Sequence, residues 1–397
     1  MTQGRTGHTF LFVVPPLVGH TVPTVAVAAE LVARGHRVAW AGHPAVCAPL
    51  LPPGAELHAT LDVRAGQVLE AARDRAAGLR GLAALKFFWE EFQAPLTEAM
   101  IPAVESAVSR VAPDVLIVDQ QAPAGAVVAQ RRGLPWVTSA TTSAECVDGA
   151  AVMPGLGDWV ASRAAALAGW EPHWGDPRFS PRLVLLFTAR ALAGPEREFP
   201  PHYAFVGPCL PSAPAVCDFP WEWLKADPRA RLVLVSLGTV TRADGERFLR
   251  TAVEAFAGAD DGVRLIVVAP DGLLTAPGAH ILLRPAVPQL ALLPHLDAVV
   301  SHGGHNTVCE ALVHGLPLVL APIRDDQPVI AEQVVRTGAG IRVPYARVRA
   351  AELREAVRAV LDGPAHREAA AVVRADLLAA GGAPAAADRL EAVLISG

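Results

Sequence analysis

Residues Ser301–Gln333 read SHGGHNTVCEALVHGLPLVLAPIRDDQPVIAEQ: a glycine-rich turn, a short apolar run closed by proline, and an acid–amide pair. The largely apolar Leu296–Val300 before them predicts a buried strand that ends at Ser301-His302-Gly303-Gly304. Asn306–Leu312 predicts the first turns of a helix, with Gly315 and Pro317 as its stop. Such a turn leaves backbone N–H groups directed outward at a helix N-terminus, where the dipole favours an anion. If the helix extends back to His302, then His302, Asn306 and Glu310 share one face and cradle a phosphate and a ribose. Glycines placed for steric reasons alone explain the Gly303-Gly304 pair better than a ligand does. The Asp326-Gln327 pair downstream tips the balance to the ligand.

Working outward, the same alternation of strand and helix recurs on both sides. His8–Pro15 (HTFLFVVP) predicts a buried strand, Pro16–Thr21 a turn, Val22–Ala33 a helix stopped by Gly35, and Arg37–Ala41 a second strand. Strand, helix and strand in about thirty residues make a βαβ unit, hence a parallel sheet. Residues 62–112 have mostly helical periodicity and carry Phe87, Phe88, Trp89 and Phe92. Core packing accounts for most of these aromatics, leaving one or two to line a pocket. Val115–Val118 predicts a strand ending in Asp119, Ala124–Arg131 a helix, and Leu134–Ser139 a strand. Residues 141–178 lack clean periodicity and hold Trp159, Trp170 and Trp174 among glycines and prolines, the composition of a binding loop. Tyr203–Gly207 predicts a last strand of this half.

The irregular run PCLPSAPAVCDF at Pro208–Phe219 is the candidate linker. A second α/β series follows it: strand Leu232–Ser236, turn Leu237–Arg242, helix Asp244–Phe256, strands Arg264–Ala269 and His280–Leu283, and a helix from Gln289 to about His295. Amphipathic helices at Ala351–Leu361, Ala365–Ala379 and Ala385–Leu394 close the chain. The expected division is therefore 1–207, a linker 208–222, 223–382, and a helix 383–397 that packs back on the first half. The fold class is α/β, with two doubly wound Rossmann-like domains facing each other across a cleft.

The totals exclude several functions. With 397 residues the chain is long enough for two domains, each with its own core. A formal charge of −5 gives no basic footprint for nucleic acid or an anionic membrane. No uninterrupted apolar run reaches the roughly 18–20 residues of a membrane span, so stable insertion is not expected. Cys47, Cys146, Cys209, Cys217 and Cys309 have no paired spacing, which argues against a disulfide framework or a zinc site. A cytoplasmic enzyme, monomeric or homodimeric, is the expectation.

His20 and Asp119 both fall at predicted strand C-termini, the edge of an open α/β sheet where ligands bind. A histidine whose far nitrogen donates to a buried carboxylate is fixed in one tautomer and becomes a better base. Alone, His20 reads as a capping or satisfied histidine and Asp119 as an N-cap. His302-Gly303-Gly304-His305 is H-x-x-H but lacks a third ligand, so no metal is expected. Neither half has a D-x-D pair, a P-loop or a full dinucleotide fingerprint, and G-x-S-x-G is absent.

These residues together resemble the family 1 glycosyltransferases (the UDP-glycosyltransferase superfamily) of the GT-B fold, in particular the bacterial macrolide, natural-product and carotenoid branch. The resemblance covers nearly the whole chain. Its most specific part runs from Gln289 to Gln327 through HGGHNTVCEAL, HGLPLVLAPI and DDQ; Gly19-His20 with Pro23, and Val235-Ser236-Leu237-Gly238-Thr239, are less specific. The resemblance implies His20 as catalytic base and Asp119 as its partner. It implies Ser236, Gly238, Thr239, His302, Gly304, Asn306 and Thr307 around the donor diphosphate. Arg284, Val287, Gln289 and Glu310 would hold the base and ribose, and Asp326 with Gln327 the sugar. Phe87, Phe88, Phe92, Trp159 and Trp170 would line the acceptor pocket.

One position departs from the family. Where an aromatic residue usually stacks on the base, three positions before Gln289, this chain has Ala286, preceded by Arg284 and Pro285. Either an arginine stacks instead or the base is held differently, which leaves uracil against thymine open. The implied activity is inverting, metal-independent transfer of a sugar from a nucleoside diphosphate to a hydroxyl of a bulky apolar natural product. Polyketides, macrolides and carotenoid-like alcohols fit that description. UDP-glucose is the first expectation for the donor and a dTDP-deoxysugar the alternative, with no cofactor beyond the co-substrate. Two rivals stand beside this reading: a GT-B epimerase, and a silent homologue acting as a partner protein.

Overall fold

The computed structural model describes residues 7–61, 66, 72, 75, 79, 81–146, 155–211, 218–238, 245–258 and 262–395. Thr239 and residues 212–217 of the expected linker lie outside them. The chain divides into two compact units: Met1–Phe187 with Glu198–Pro211 and Ala380–Gly397, and Thr188–Arg197 with Ser212–Ala379.

The first unit is built on a seven-stranded sheet. Its strands are β1 (Thr9–Val13), β2 (Arg37–Gly42), β3 (Glu56–Ala59), β4 (Val115–Asp119), β5 (Trp136–Ala140), β6 (Val184–Leu186) and β7 (Tyr203–Phe205). Their order in the sheet is β3-β2-β1-β4-β5-β6-β7, every pairing parallel. Strands covered on both faces read as continuous apolar runs, and β1 (TFLFV) is buried throughout. Leu11 and Val13 face one layer with Leu96, Met100 and Val104, while Phe10 and Phe12 face the other with Val27, Leu31 and Leu390.

Leu390 belongs to the last helix, Gly382–Ile395, whose Ala386 and Ala387 are also buried in that second layer. Arg34 fastens the helix, donating to Asp388 at 2.6 Å and to Glu391 at 2.8 Å. By length and mean hydropathy alone, Pro364–Ile395 would pass for a membrane span. Gly381 and Gly382, at φ +90° and +62°, break it into two helices that belong to different compact units.

The second unit holds a six-stranded parallel sheet: β8 (Arg231–Ser236), β9 (Val263–Val268), β10 (Ile281–Arg284), β11 (Ala298–Ser301), β12 (Leu318–Leu320) and β13 (Gly340–Arg342). The order β10-β9-β8-β11-β12-β13 repeats the arrangement of the first six strands of the other sheet. Thr188–Arg197 joins this unit through Ala191 N–H to Asp376 (2.7 Å) and Arg336 to the Leu192 carbonyl (3.2 Å).

In a sheet of this order the chain winds away from a central pair of strands in both directions, leaving a crevice outside their carboxyl ends. That pair is β1 with β4 in the first unit and β8 with β11 in the second. His20 follows β1 and Asp119 ends β4; Ser236 ends β8 and His302 follows β11.

Three local expectations are corrected. The first helix runs Val18–Ala33, so His20 stands in its first turn and not in a loop. Pro23 lies inside that helix, where it forfeits the bond to the Gly19 carbonyl. The helix after Ser301 begins at His305 with Gly304 as N-cap, so His302 precedes it and does not share a helix face with Asn306 and Glu310. Of the region 62–112, most of 62–80 lies outside the described residues; the helices Gly81–Phe87 and Ala94–Val111 are joined by a π-helix at Phe88–Gln93, a feature that often marks functional sites.

Candidate active site

In the first unit His20, Asp119 and Thr141 come together at the end of the sheet. His20 Nδ1 is 2.9 Å from Asp119 Oδ1 and 2.7 Å from Thr141 Oγ1, and the Thr141 hydroxyl donates to Asp119 Oδ2 at 3.0 Å. Gln121 N–H donates to Asp119 Oδ1 at 2.8 Å. These contacts settle the tautomer. A carboxylate only accepts, so the one proton of Thr141 points at Asp119, and Thr141 can only accept from the imidazole. Both neighbours of Nδ1 are then acceptors, and Nδ1 carries the hydrogen. In the neutral ring the lone pair is then on Nε2. Asp119 is wholly buried, whereas the His20 side chain keeps 15% of its surface exposed.

Thr141 was not among the residues singled out from sequence. Its signal lies in strand periodicity: Asp119 pairs in register with Ser139, and Thr141 follows two residues later on the same face. That inference needs the register of β4 and β5, which composition does not supply.

In the second unit the donor-side residues surround the switch point. Ser236 and Ser301 are register partners on β8 and β11. The buried His302 ring hydrogen-bonds the Ser236 backbone and lies between two glycines. A Cβ added at Gly238 would stand 2.7 Å from its Cε1, and one at Gly304 2.6 Å from its Nε2. A side chain at either position would therefore press on the ring, and Gly238 in addition takes φ +69°. Burial holds His302 down to about 4, against a smaller upward pull from the Asp326 carboxylate, so at neutral pH it is an uncharged donor. His305, the other half of H-x-x-H, turns toward Cys309, 3.7 Å from Nε2 to Sγ. Among the described residues no three His, Cys, Asp or Glu side chains are grouped to hold a metal.

Gln289 donates to Glu310 Oε2 at 2.6 Å, so the residues expected at the base and ribose touch each other. Burial pushes the Glu310 carboxyl up to about 7, and the Gln289 bond only partly opposes it. Arg284 ends β10, and its buried Nε has no hydrogen-bond partner among the described residues. Val287 accepts from the Gln289 N–H, closing the turn that aims Gln289. Asn306 and Thr307 stand in the first turn of the helix His305–Val313.

The acidic pair divides its labour. Asp325 takes the left-handed conformation (φ +56°) that Asp tolerates, and Asp326 is the N-cap of the helix Gln327–Thr337 without a side-chain bond to it. Gln327 Oε1 accepts from the Ile323 N–H (2.9 Å) and the Arg324 N–H (3.2 Å), so that oxygen holds its own turn.

The aromatic residues expected at an acceptor wall separate into two groups. Phe92 and Trp170 are core side chains, 6% and 5% exposed, and Trp170 Nε1 donates to the Gly175 carbonyl. Phe87, Phe88 and Trp159 are half-buried.

Comparison with known proteins finds relatives of the whole chain. Residues 261–393 match the family described as Erythromycin biosynthesis protein CIII-like, C-terminal domain. The chain is 30% identical to 4'-demethylrebeccamycin synthase of Lentzea aerocolonigenes, covering 98% of this chain and 100% of that one. It is also 30% identical to demethyllactenocin mycarosyltransferase of Streptomyces fradiae, over 98% and 87% of the two chains. Among solved structures, the glycotransferase of kitacinnamycin superposes with a TM-score of 0.72 at 29% identity, covering 98% of this chain and 99% of that one.

Proposed function

The chain belongs to the family 1 glycosyltransferases of the GT-B fold, and on that premise we propose that it is an inverting, metal-independent hexosyltransferase acting on a bulky apolar natural product. His20 Nε2 takes the proton from an acceptor hydroxyl as that oxygen attacks the anomeric carbon. The nucleoside diphosphate departs in the same displacement, and an α-linked donor becomes a β-glycoside. The positive charge that develops on the imidazole is met by Asp119, whose buried carboxylate accepts from Nδ1. This contact is the observation that carries the reading.

On the donor side, the turn at His302–Gly304 and the helix N-terminus at Asn306 and Thr307 would hold the diphosphate, with Ser236 and Gly238 assisting. His302 acts there as a neutral donor, so stabilisation of the leaving group falls to N–H dipoles and not to a fixed charge. Glu310 and Gln289 would read the ribose and base, with Arg284 and Val287 beside them, and Asp326 and Gln327 the sugar. UDP-glucose is the donor proposed first. A dTDP-deoxysugar is the second reading, favoured by Gln327 Oε1 already being occupied by two backbone amides. A cytoplasmic location accompanies either donor.

His20→Ala decides the mechanism: transfer should fall by about 10²–10⁴, and wild-type turnover would overturn the assignment. A thermal-shift panel of UDP, dTDP, UDP-glucose and dTDP-sugars separates an enzyme from a silent homologue. A bound donor at a hundredfold excess over Kd stabilises by about 2.7 kcal/mol. A chain that responds to none of them would point to the silent homologue.

A further inference from the structure

Asp119 accepts from His20 and Thr141, and it also accepts from the Gln121 backbone N–H. Gln121 is gripped at two further points. Its carbonyl accepts from Gln93 Nε2 at 3.0 Å, and its own Nε2 donates to Glu145 Oε1 at 2.7 Å. Because Gln121 must donate to the carboxylate and Gln93 must donate to a carbonyl, the orientation of both amides is fixed.

Glu145 is an unusual residue to find there. It ends the turn Ser143–Glu145 after β5, close enough to interact electrostatically with both Asp119 and His20. Burial disfavours the charge of this second carboxylate, and repulsion from Asp119 adds a smaller push in the same direction. The surroundings nonetheless hold it in place. Arg178 Nη1 is 3.7 Å from Glu145 Oε2 and is itself fixed by Asp176, at 2.6 Å from Nη2 and 3.0 Å from Nε. The guanidinium lies 5.5 Å from the Trp89 ring and 5.0 Å from the Phe179 ring. A charged frame built from two separate turns thus ends on one amide side chain, and that residue's N–H ends on Asp119. An apolar pair would fill the same space at lower cost.

We infer that Gln121 and Glu145 are positioning residues for the transfer reaction: Glu145 holds the Gln121 side chain so that the Gln121 N–H stays on Asp119 and keeps the His20 imidazole aimed. The inference rests on the reading of His20 as base. Removal of the Gln121 side chain cannot delete the backbone N–H, so the effect is a loss of orientation and not of a hydrogen bond to Asp119. Loosening Asp119 weakens its support of the imidazolium, and the acid limb of activity moves to lower pH.

The test compares Glu145→Ala, Glu145→Gln, Gln121→Leu and the double variant Gln121→Leu/Glu145→Ala in the full-length enzyme. Glu145→Ala should lower kcat about tenfold, the order expected for one well-placed hydrogen bond. Donor KM should stay within about twofold, since uniform binding is untouched. The acid limb should move to lower pH. Glu145→Gln keeps an oxygen for Gln121 and should recover most of kcat. The double variant should be no worse than the worse single, because both changes break one contact. If Glu145→Ala does not fold, Gln121→Leu carries the same comparison. An unmoved pH profile, failure of Glu145→Gln to rescue, or additive losses would each overturn the inference. Failure of the base assignment reads differently, as wild-type transfer by His20→Ala.

Discussion

The Thr141 oxygen stands 2.7 Å from His20 Nδ1 while its proton is directed at Asp119 Oδ2, 3.0 Å away. One hydroxyl thus joins both members of the base pair, and its removal should be felt by both. Thr141→Val preserves shape and deletes the hydroxyl. Since a hydrogen bond to a charged group is worth about 1.5–3 kcal/mol, kcat should fall roughly 10- to 100-fold. Thr141→Ser should retain most of the activity. Steady-state kinetics on the two variants check this, and a loss in Thr141→Ser with none in Thr141→Val would mean that packing of the methyl group matters, not the hydroxyl.

Asp119→Asn tests the tautomer directly. An amide can present its N–H to the imidazole, which would move the imidazole hydrogen to Nε2 and abolish the base. In a serine protease triad the corresponding change costs about 10⁴ in kcat, and a loss of two orders of magnitude or more is expected here. Donor affinity, measured by calorimetry, should be unchanged, because Asp119 lies on β4 of the first unit while the proposed donor residues lie in the second. A variant with near-normal turnover would contradict the tautomer argued from Thr141.

The parallel order of both sheets follows from features visible in the sequence: apolar runs such as Phe10–Val13 and Val233–Val235, separated by helical periods. What escaped was short or peripheral. Glu56–Ala59, Val184–Leu186 and Gly340–Arg342 are strands of three or four residues, and the first and last lie at sheet edges, where little is buried and no long apolar run is needed. Histidines at 20 and 302 were legible because glycines and strand ends flank them. Thr141, Gln121 and Glu145 were not. Their roles arise from strands and turns meeting at one sheet edge, and nothing in their local composition marks that meeting. The start of the first helix was misplaced because Pro23 reads as a first-turn residue when it is an internal one.

If Glu310 holds the donor ribose as proposed, its buried carboxyl should make donor binding depend on pH. It is held near 7 by burial, and ribose hydroxyls donate better to its ionised form. Protons therefore compete with the donor: affinity should be constant above about pH 8 and fall as pH drops through 7, by at most about tenfold per unit. His302, near 4, does not titrate in that window. A nucleotide-sugar is the right probe because its diphosphate charge is fixed there. The same raised carboxyl makes the unliganded fold less stable as pH rises from about 4.5 through 7, since the folded state holds the proton more tightly. Glu310→Gln should flatten both profiles. Binding that is flat in the unaltered protein would exclude Glu310 from the ribose contact.

Gly304→Ala isolates the role of the His302 ring. Gly304 has φ −62° and ψ 135°, which alanine adopts freely, so the backbone itself is not strained. The obstacle is the ring, with Nε2 only 2.6 Å and Cε1 2.9 Å from the added methyl. Overpacking of this kind costs about 1–3 kcal/mol, and the ring can relieve it only by turning away from its place. Donor KM should rise about tenfold or more, with acceptor KM unchanged. An unaltered donor KM would show that the ring position does not matter to the diphosphate.

Ala286 offers the sharpest test of the donor base. It is exposed at the end of β10, next to Pro285 and two residues from Arg284, whose buried Nε lacks a partner among the described residues. If the base lies over this turn, it lacks the aromatic surface that the family usually provides, and a guanidinium edge is the nearest substitute. Ala286→Trp would supply the missing face. Base–aromatic stacking is worth about 1–3 kcal/mol, so Kd for the preferred nucleoside diphosphate should fall by about 5- to 150-fold. Arg284→Ala should weaken binding in the unaltered background and matter much less once Trp occupies position 286, because the two side chains serve one surface of the base. Calorimetry with UDP and dTDP on all four proteins would also show which base the arginine favours. Independent, additive effects would place the base away from this turn.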